Sequence, residues 1–322
     1  MADAPAPNVA ETLAWEKAQR LPAGLLGIVA GVLTLLGGIL ASSAFQDFPK
    51  VSVLDGLRDA AGEKLAIGPG LRTTQLVFYD DKATTLLIVA VVLALGSAAM
   101  AGVLGYLFRA TAARGGRLPR IALGGAIIGP IMLAVAELTL QIGISVKASD
   151  FVGGKDLSTH AAHEALQGGL ILASQILRQV SLLLVAFSFV LIAINAMRVG
   201  LLTRFMGILG MIVGALFIIP VGSNLPVVQS FWLVAVGVLI LDRWPGPQGR
   251  PPAWAAGRAI PWPTQQELRE AREGGAPRPD PASGIVPADE LDAAGDGSAA
   301  RPAGGLAGES PTSKKRKGRK RR

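Results

Sequence analysis

The chain is expected to fold as an all-α integral membrane protein, a six-helix transmembrane bundle followed by a disordered, basic C-terminal tail. Three observations lead there. The composition is 51% hydrophobic and only 17% charged, below the ~25% charge of ordinary globular domains. Apolar runs of crossing length recur; Val180 to Met197 carries no charge, and ~18 or more such residues cover a bilayer. Finally, the short turns between runs are arginine-rich, and basic short loops resist translocation.

Residues 1–20 read as a cytoplasmic segment with a short helix, in which Asn8 and Glu11 have capping-box spacing and Trp15 marks one face. The first span is 21–44. Its Gly24, Gly27, Gly31 and Gly38 fall along one side, where another helix can approach closely. A cleaved signal peptide competes for this run, but ~20 apolar residues exceed the usual signal core, which favours a retained anchor. Residues 45–83 form a mixed-charge external loop. There, 51–64 can make an amphipathic helix, the Gly-Pro-Gly at 68–70 breaks it, and 73–81 (TTQLVFYDD) suits a strand or extended crossing.

The second span, 84–107, repeats Ala90, Ala94, Ala98 and Gly102 at every fourth position, a smooth packing face. Arg109, Arg114, Arg117 and Arg120 follow without an acid, which places that turn in the cytoplasm. The third span, 121–144, holds Gly125, Gly129 and a kinking Pro130. Polar residues 146–167 lead into the fourth span at 175–197. A helix starting near Ser158 and running to Met197 would measure about 60 Å, so its first part must stand outside the bilayer or bend along it. The fifth and sixth spans are 201–221 and 225–241, joined by an uncharged turn. Six crossings place both termini and every basic turn in the cytoplasm, with no basic cluster misplaced.

Beyond residue 243 the chain turns rich in Pro, Gly and charge. Three tryptophans at 244, 254 and 262 sit among prolines, a composition that suits the headgroup layer. From Gly274 onward the chain is too polar to fold. Its end, Lys314, Lys315, Arg316, Lys317, Arg319, Lys320, Arg321 and Arg322, equals the whole formal charge of +8. The high isoelectric point therefore describes a tail. Anionic lipid headgroups are its expected partner; specific nucleic-acid binding is not expected, because no aromatic residue is interleaved for stacking.

Function is less legible. Cysteine is absent, which removes disulfides, thiolate zinc sites and thiol catalysis. No Walker lysine, dinucleotide fingerprint or Ser/His/Asp set is present, so neither catalysis nor a cofactor is expected. Glu137 is the only carboxylate inside a span, and an intramembrane acid is costly enough to mark a site. Counted from Arg120 it lies about 25 Å deep, and Arg178 descends to a similar level about 30 Å from Arg198. The two are expected to pair, directly or through Gln141, with Gln175 and Gln179 beside them. Ser174, Arg178, Ser181, Ser188 and Asn195 share one face, which marks an inward polar stripe. That stripe is either glue between helices or the lining of a solute or proton path. His160, His163 and Glu164, with Asp156, form a weak metal candidate against a plain solvated helical turn; His-x-x-His-Glu matches neither zinc-protease pattern.

The segment NAMRVGLLTRFMGILGMIVG at 195–214, with RPPAW at 250–254 and IPWP at 260–263, resembles bacterial multi-pass membrane proteins grouped as a domain of unknown function. The resemblance implies a helical bundle in the cytoplasmic membrane and supplies no substrate or catalytic residue. A structural or interaction role is the first expectation, and a small-solute or proton-coupled transporter the second.

Overall fold

Helices account for every regular element of the computed structural model, which describes residues 9–49, 71–154, 156–218, 226–245, 250–263 and 269. The chain divides into Met1–Ser283 and Gly284–Arg322, and all described residues lie in the first unit. The elements are α1 (Val9–Ala44), α2 (Leu71–Asp81), α3 (Ala83–Ala113), α4 (Arg120–Val152) and α5 (Thr159–Leu166), then α6 (Gly169–Arg198), α7 (Arg204–Ile218), α8 (Val227–Ile240) and the single turn α9 (Ala253–Ala256).

Four helices, α1, α3, α4 and α6, are long and apolar enough to cross a membrane. Their 36, 31, 33 and 30 residues come to about 45–54 Å at 1.5 Å each, more than a ~30 Å hydrocarbon core. Each therefore continues past the apolar layer. α7 and α8 are apolar but have only 15 and 14 residues, about 21–23 Å.

The helices pack in a ring. α1 lies between α3 and α8, α3 continues to α4, α4 to α6 and α6 to α7; α7 touches α8, and α3 reaches α6 across the middle. Large apolar side chains such as Trp232, Phe189, Leu104 and Ile192 fill the centre, but where α4 meets α6 the pattern of burial is inverted relative to a water-soluble bundle. On α4 the small Ala122, Gly125, Ala126 and Gly129 are buried while Ile127, Ile128 and Ile131 face outward. Large apolar side chains gain little from packing when the surroundings are themselves apolar, so close backbone approach between small residues holds such helices. The tightest approach is α1 on α8: a Cβ on Gly27 would meet Gly237 Cα at 2.9 Å, and one on Gly237 would meet the Gly24 carbonyl oxygen at 2.7 Å. Gly24, Gly27 and Gly31 thus do share a face, and its partner is α8.

Several sequence expectations need correction. Residues 73–81 are helical, within α2. Thr73 and Leu76 are buried one turn apart and Tyr79 packs a turn further on; Leu76 sits against Ala148, Phe151 and Ala162. This helical spacing prevailed over the β-rich composition because the end of α4 and α5 offered a surface to cover. Tyr79 is pushed above the ordinary tyrosine pKa by that burial. The N-terminal segment is not a separate short helix: from Val9 onward it is continuous with the first span through Pro22. The helix of the expected third span extends to Val152 and that of the fourth begins at Gly169, while the runs expected as fifth and sixth spans form helices that begin at Arg204 and Val227. Ser158 does start a helix, its hydroxyl accepting from the Ala161 amide at 3.2 Å, but the run breaks at Gln167 and Gly168 before α6. Asn8, the 51–64 helix and the polybasic end lie outside the described residues.

Because Gly237 has no room for a side chain, Gly237→Leu should lower thermal stability in detergent by about 1–3 kcal/mol. Gly124→Leu should leave it unchanged, since the nearest atom to a Cβ there is 4.0 Å away. Equal melting of the two variants would show that the α1 and α8 crossing does not hold the bundle.

Candidate functional site

Glu137 on α4 and Arg178 on α6 are brought together directly: Arg178 Nε donates to Glu137 Oε1 at 2.7 Å. The pair is not sealed, with the two side chains 22% and 43% exposed. Next to it, Ser174 Oγ donates to Thr139 Oγ1 at 3.0 Å, a second bond between the same helices. The remaining predicted members do not join. Gln141 donates to Ser145 on its own helix at 3.2 Å, and Gln175 and Gln179 are exposed on the outer face of α6. Gln179 follows Arg178 by one residue, about 100° around the helix, and Gln175 precedes it by three, about 60° off, so neither need share its direction.

The serine and asparagine stripe turns inward as a packing surface. Ser181 Oγ donates to the Leu177 carbonyl at 2.6 Å and Asn195 Nδ2 to the Leu191 carbonyl at 2.8 Å. Ser188 is buried beside Gly125, where a Cβ would strike its hydroxyl. These groups are satisfied within their own helix or pressed against a glycine, as helix contacts in lipid require.

The metal candidate does not assemble. His160, His163 and Glu164 are all exposed, and His163 Nε2 lies 3.0 Å from Gln167 Nε2, one turn along α5. Among the described residues no group of three or more His, Asp or Glu could hold a metal ion. Asp156 instead accepts from the Ser158 amide at 2.9 Å, a bond that holds its carboxyl below the usual carboxylate range.

At the opposite end of the bundle lies a polar centre that the residue pattern did not reveal. Arg114, just past α3, and Glu16, on α1, form a buried two-pronged ion pair: Nη1 bonds Glu16 Oε1, and Nη2 donates to Oε2 at 3.0 Å. The guanidinium also donates from Nη1 to the Ala110 carbonyl and from Nε to the Ala253 carbonyl, both at 3.0 Å. A planar five-donor fork can bridge three segments in this way, and a lysine could not.

Aromatic rings enclose that centre. Trp15 stacks on Tyr106 at 5.1 Å, Tyr106 stacks on Trp254 at 6.2 Å, and Arg109 lies over Trp15 at 4.7 Å. Arg114 and Arg250 approach the Trp254 ring at 5.4 and 5.8 Å. Alongside, Asp242 takes Arg20 at 3.1 Å and Arg250 at 3.0 Å. Residues 250–263, whose composition suits the headgroup layer, pack on the protein itself. Trp254 is fully buried and its indole donates to the Leu201 carbonyl at 2.9 Å; Trp262 donates to the Leu202 carbonyl at 2.8 Å. The Ile260 amide donates to the Val199 carbonyl at 3.1 Å, and Arg204 bonds the Pro263 carbonyl. Gly200, at φ +80°, lets Ile260 pass where a Cβ would collide with its carbonyl. The α6 to α7 turn and the RPPAW and IPWP segments, distant in sequence, are thus one packed unit. The available signal was the tryptophans themselves, since a buried indole N–H needs a partner.

Comparison with family models, curated proteins and solved structures finds no match to this chain.

Removing one member of the Glu16 and Arg114 pair leaves a buried charge alone, so Arg114→Met or Glu16→Met should each cost about 3–5 kcal/mol of stability. The double replacement Glu16→Met with Arg114→Met should recover part of that loss. Denaturation of the four proteins in one detergent gives the cycle; additive losses would rule out a coupled pair.

Proposed function

We propose that this chain is a six-span protein of the cytoplasmic membrane, both termini cytoplasmic, with a structural or interaction role. The short helices α7 and α8 serve as fifth and sixth spans in this reading. Their place in an alternating ring with four crossing helices supports it. Arg20, Arg109, Arg114, Arg198, Arg204 and Arg250 belong to one end, where α1 starts, α3 and α8 finish and α6 turns into α7. Basic residues kept on one side are what the positive-inside rule asks of a cytoplasmic face. In the same reading the polybasic run from Lys314 to Arg322 attracts anionic headgroups.

The observation that carries the structural role is that four of the polar side chains on α6 are already bonded. Arg178 is bound to Glu137, Ser174 to Thr139, and Ser181 and Asn195 to their own helix. A solute path needs polar groups left free for its cargo; the first two of these bonds join α4 to α6, and the other two stay within α6. One feature favours the transporter reading as runner-up: the partial exposure of Arg178, at 43%, leaves that pair within reach of water or headgroups.

Reporters active on one side only, fused to each terminus, should both report the cytoplasm; disagreement between them would overturn the even number of spans. The absence of native cysteine permits a second measurement, labelling of Gln141→Cys by a membrane-impermeant maleimide. Labelling from the outer side alone is expected for a structural bundle. Access from both sides would displace that reading in favour of alternating access.

A further inference from the structure

α1 and α8 are flush at one end of the bundle and out of step at the other. At the flush end, the cytoplasmic one in the orientation proposed above, Arg20 bonds both the Leu241 carbonyl and Asp242. From there the antiparallel contact fixes the register: Gly24 lies against Leu241, Gly27 against Gly237 and Gly31 against the Ser230 carbonyl. Carried on by three residues, that register puts Val227, where α8 starts, level with Thr34. α1 runs on to Ala44, about 15 Å beyond that level, and its Leu36, Ile39 and Leu40 are exposed there. On α4, exposed apolar side chains likewise reach from Ile121 to Val146, about 38 Å. In contrast, α7 from Arg204 to Ile218 and α8 from Val227 to its cap at Leu241 each rise about 21 Å, well short of a ~30 Å hydrocarbon core. Tilting does not remove the step, because α1 and α8 are packed side by side and tilt together.

We propose that the outer leaflet dips over the α7 and α8 side of the bundle: headgroups and water descend to the level of Val227 there, while the hydrocarbon keeps its full depth against α1 and α4. A bilayer thins locally where an apolar stretch is too short for it. The start of α8 needs that water. Pro226 supplies no side-chain cap, the first amides of a helix have no carbonyl within it, and backbone without partners is not left facing lipid. The sequence just before it is polar as well, with Ser223 and Asn224 four and three residues ahead of Val227. Below that level α7 and α8 expose apolar side chains, among them Phe205, Ile208, Ile212 and Phe231. Such a band holds no polar group for a specific protein partner and suits lipid with short or loosely packed chains. This inference rests on the six-span reading and names the lipid arrangement that its two short spans require.

The test measures depth in the full-length protein, whose cysteine-free sequence allows a single nitroxide label at Val227→Cys or at Ile39→Cys, both exposed positions. Ile39 lies five residues beyond Thr34, about 8 Å further from the cytoplasmic end than Val227. In dioleoylphosphatidylcholine vesicles the Val227 label should nonetheless collide with a water-soluble nickel complex about five-fold more often than the Ile39 label, and the Ile39 label more often with dissolved oxygen. A flat leaflet gives the opposite order, the outermost position being the wetter one. Equal access of nickel to both labels would overturn the dip, because the leaflet would then be low all round. A Val227 label shielded from nickel would overturn it too, since lipid or a protein partner would then cover the start of α8. Val228→Cys and Leu40→Cys, also exposed, form a second pair should either first variant melt below the parent protein in detergent. Release of the protein by alkaline carbonate would instead overturn the membrane reading beneath the proposal.

Discussion

Arg114 must find several acceptors at once in a place with almost no water, and the end of the bundle is arranged around that demand. An isolated guanidinium in such a site would be far too costly to bury. Glu16 meets the charge, and the carbonyls of Ala110 and Ala253 meet the donors that Glu16 leaves over. Each acceptor comes from a different part of the chain. Satisfying one side chain therefore ties the start of α1 and the segment after α8 to the end of α3. The ring stack of Trp15, Tyr106 and Trp254 covers the pair and keeps the local dielectric low, which strengthens its attraction and raises the cost of breaking it.

The rest of the bundle follows a different rule. In its apolar layer no hydrophobic force drives helices together, so contact depends on how near two backbones can come. Gly24, Gly27 and Gly31 against Gly237 and Ser230, Gly214 against Ala186, and Gly125 and Gly129 against Leu184 and Val185 are places where that distance is small. Large residues such as Ile128, Ile176 and Phe187 are displaced outward. The inner face of α6 carries the hydroxyls of Ser174, Ser181 and Ser188 among Ile171, Val185 and Phe189, while its outer face is apolar with two amides.

The helices, the crossing lengths and the small-residue faces were legible in the sequence because they rest on local composition and spacing. So was the depth match between Glu137 and Arg178, which needed only a rise per residue and a direction for each helix. Orientation about the helix axis was harder. Gln141, Gln175 and Gln179 share the right depth, yet two of them face outward and one bonds along its own helix. The α2 segment read as extended because Thr, Val, Phe and Tyr favour strands; the surface that made it a helix, Ala148 and Phe151 with Ala162, comes from residues ~70 to 90 positions away.

By itself, then, the chain's order of residues determined an apolar helical membrane protein and where its arginines fall relative to the long runs, since both are properties of neighbouring residues in the bilayer as solvent. Only the tertiary structure decided that Glu16 belongs to Arg114 and that residues 250–263 return to cap the α6 to α7 turn. Those contacts join positions 98 and 53 residues apart. Nothing in local spacing encodes which of many arginines, carbonyls and indoles will meet once the helices have packed.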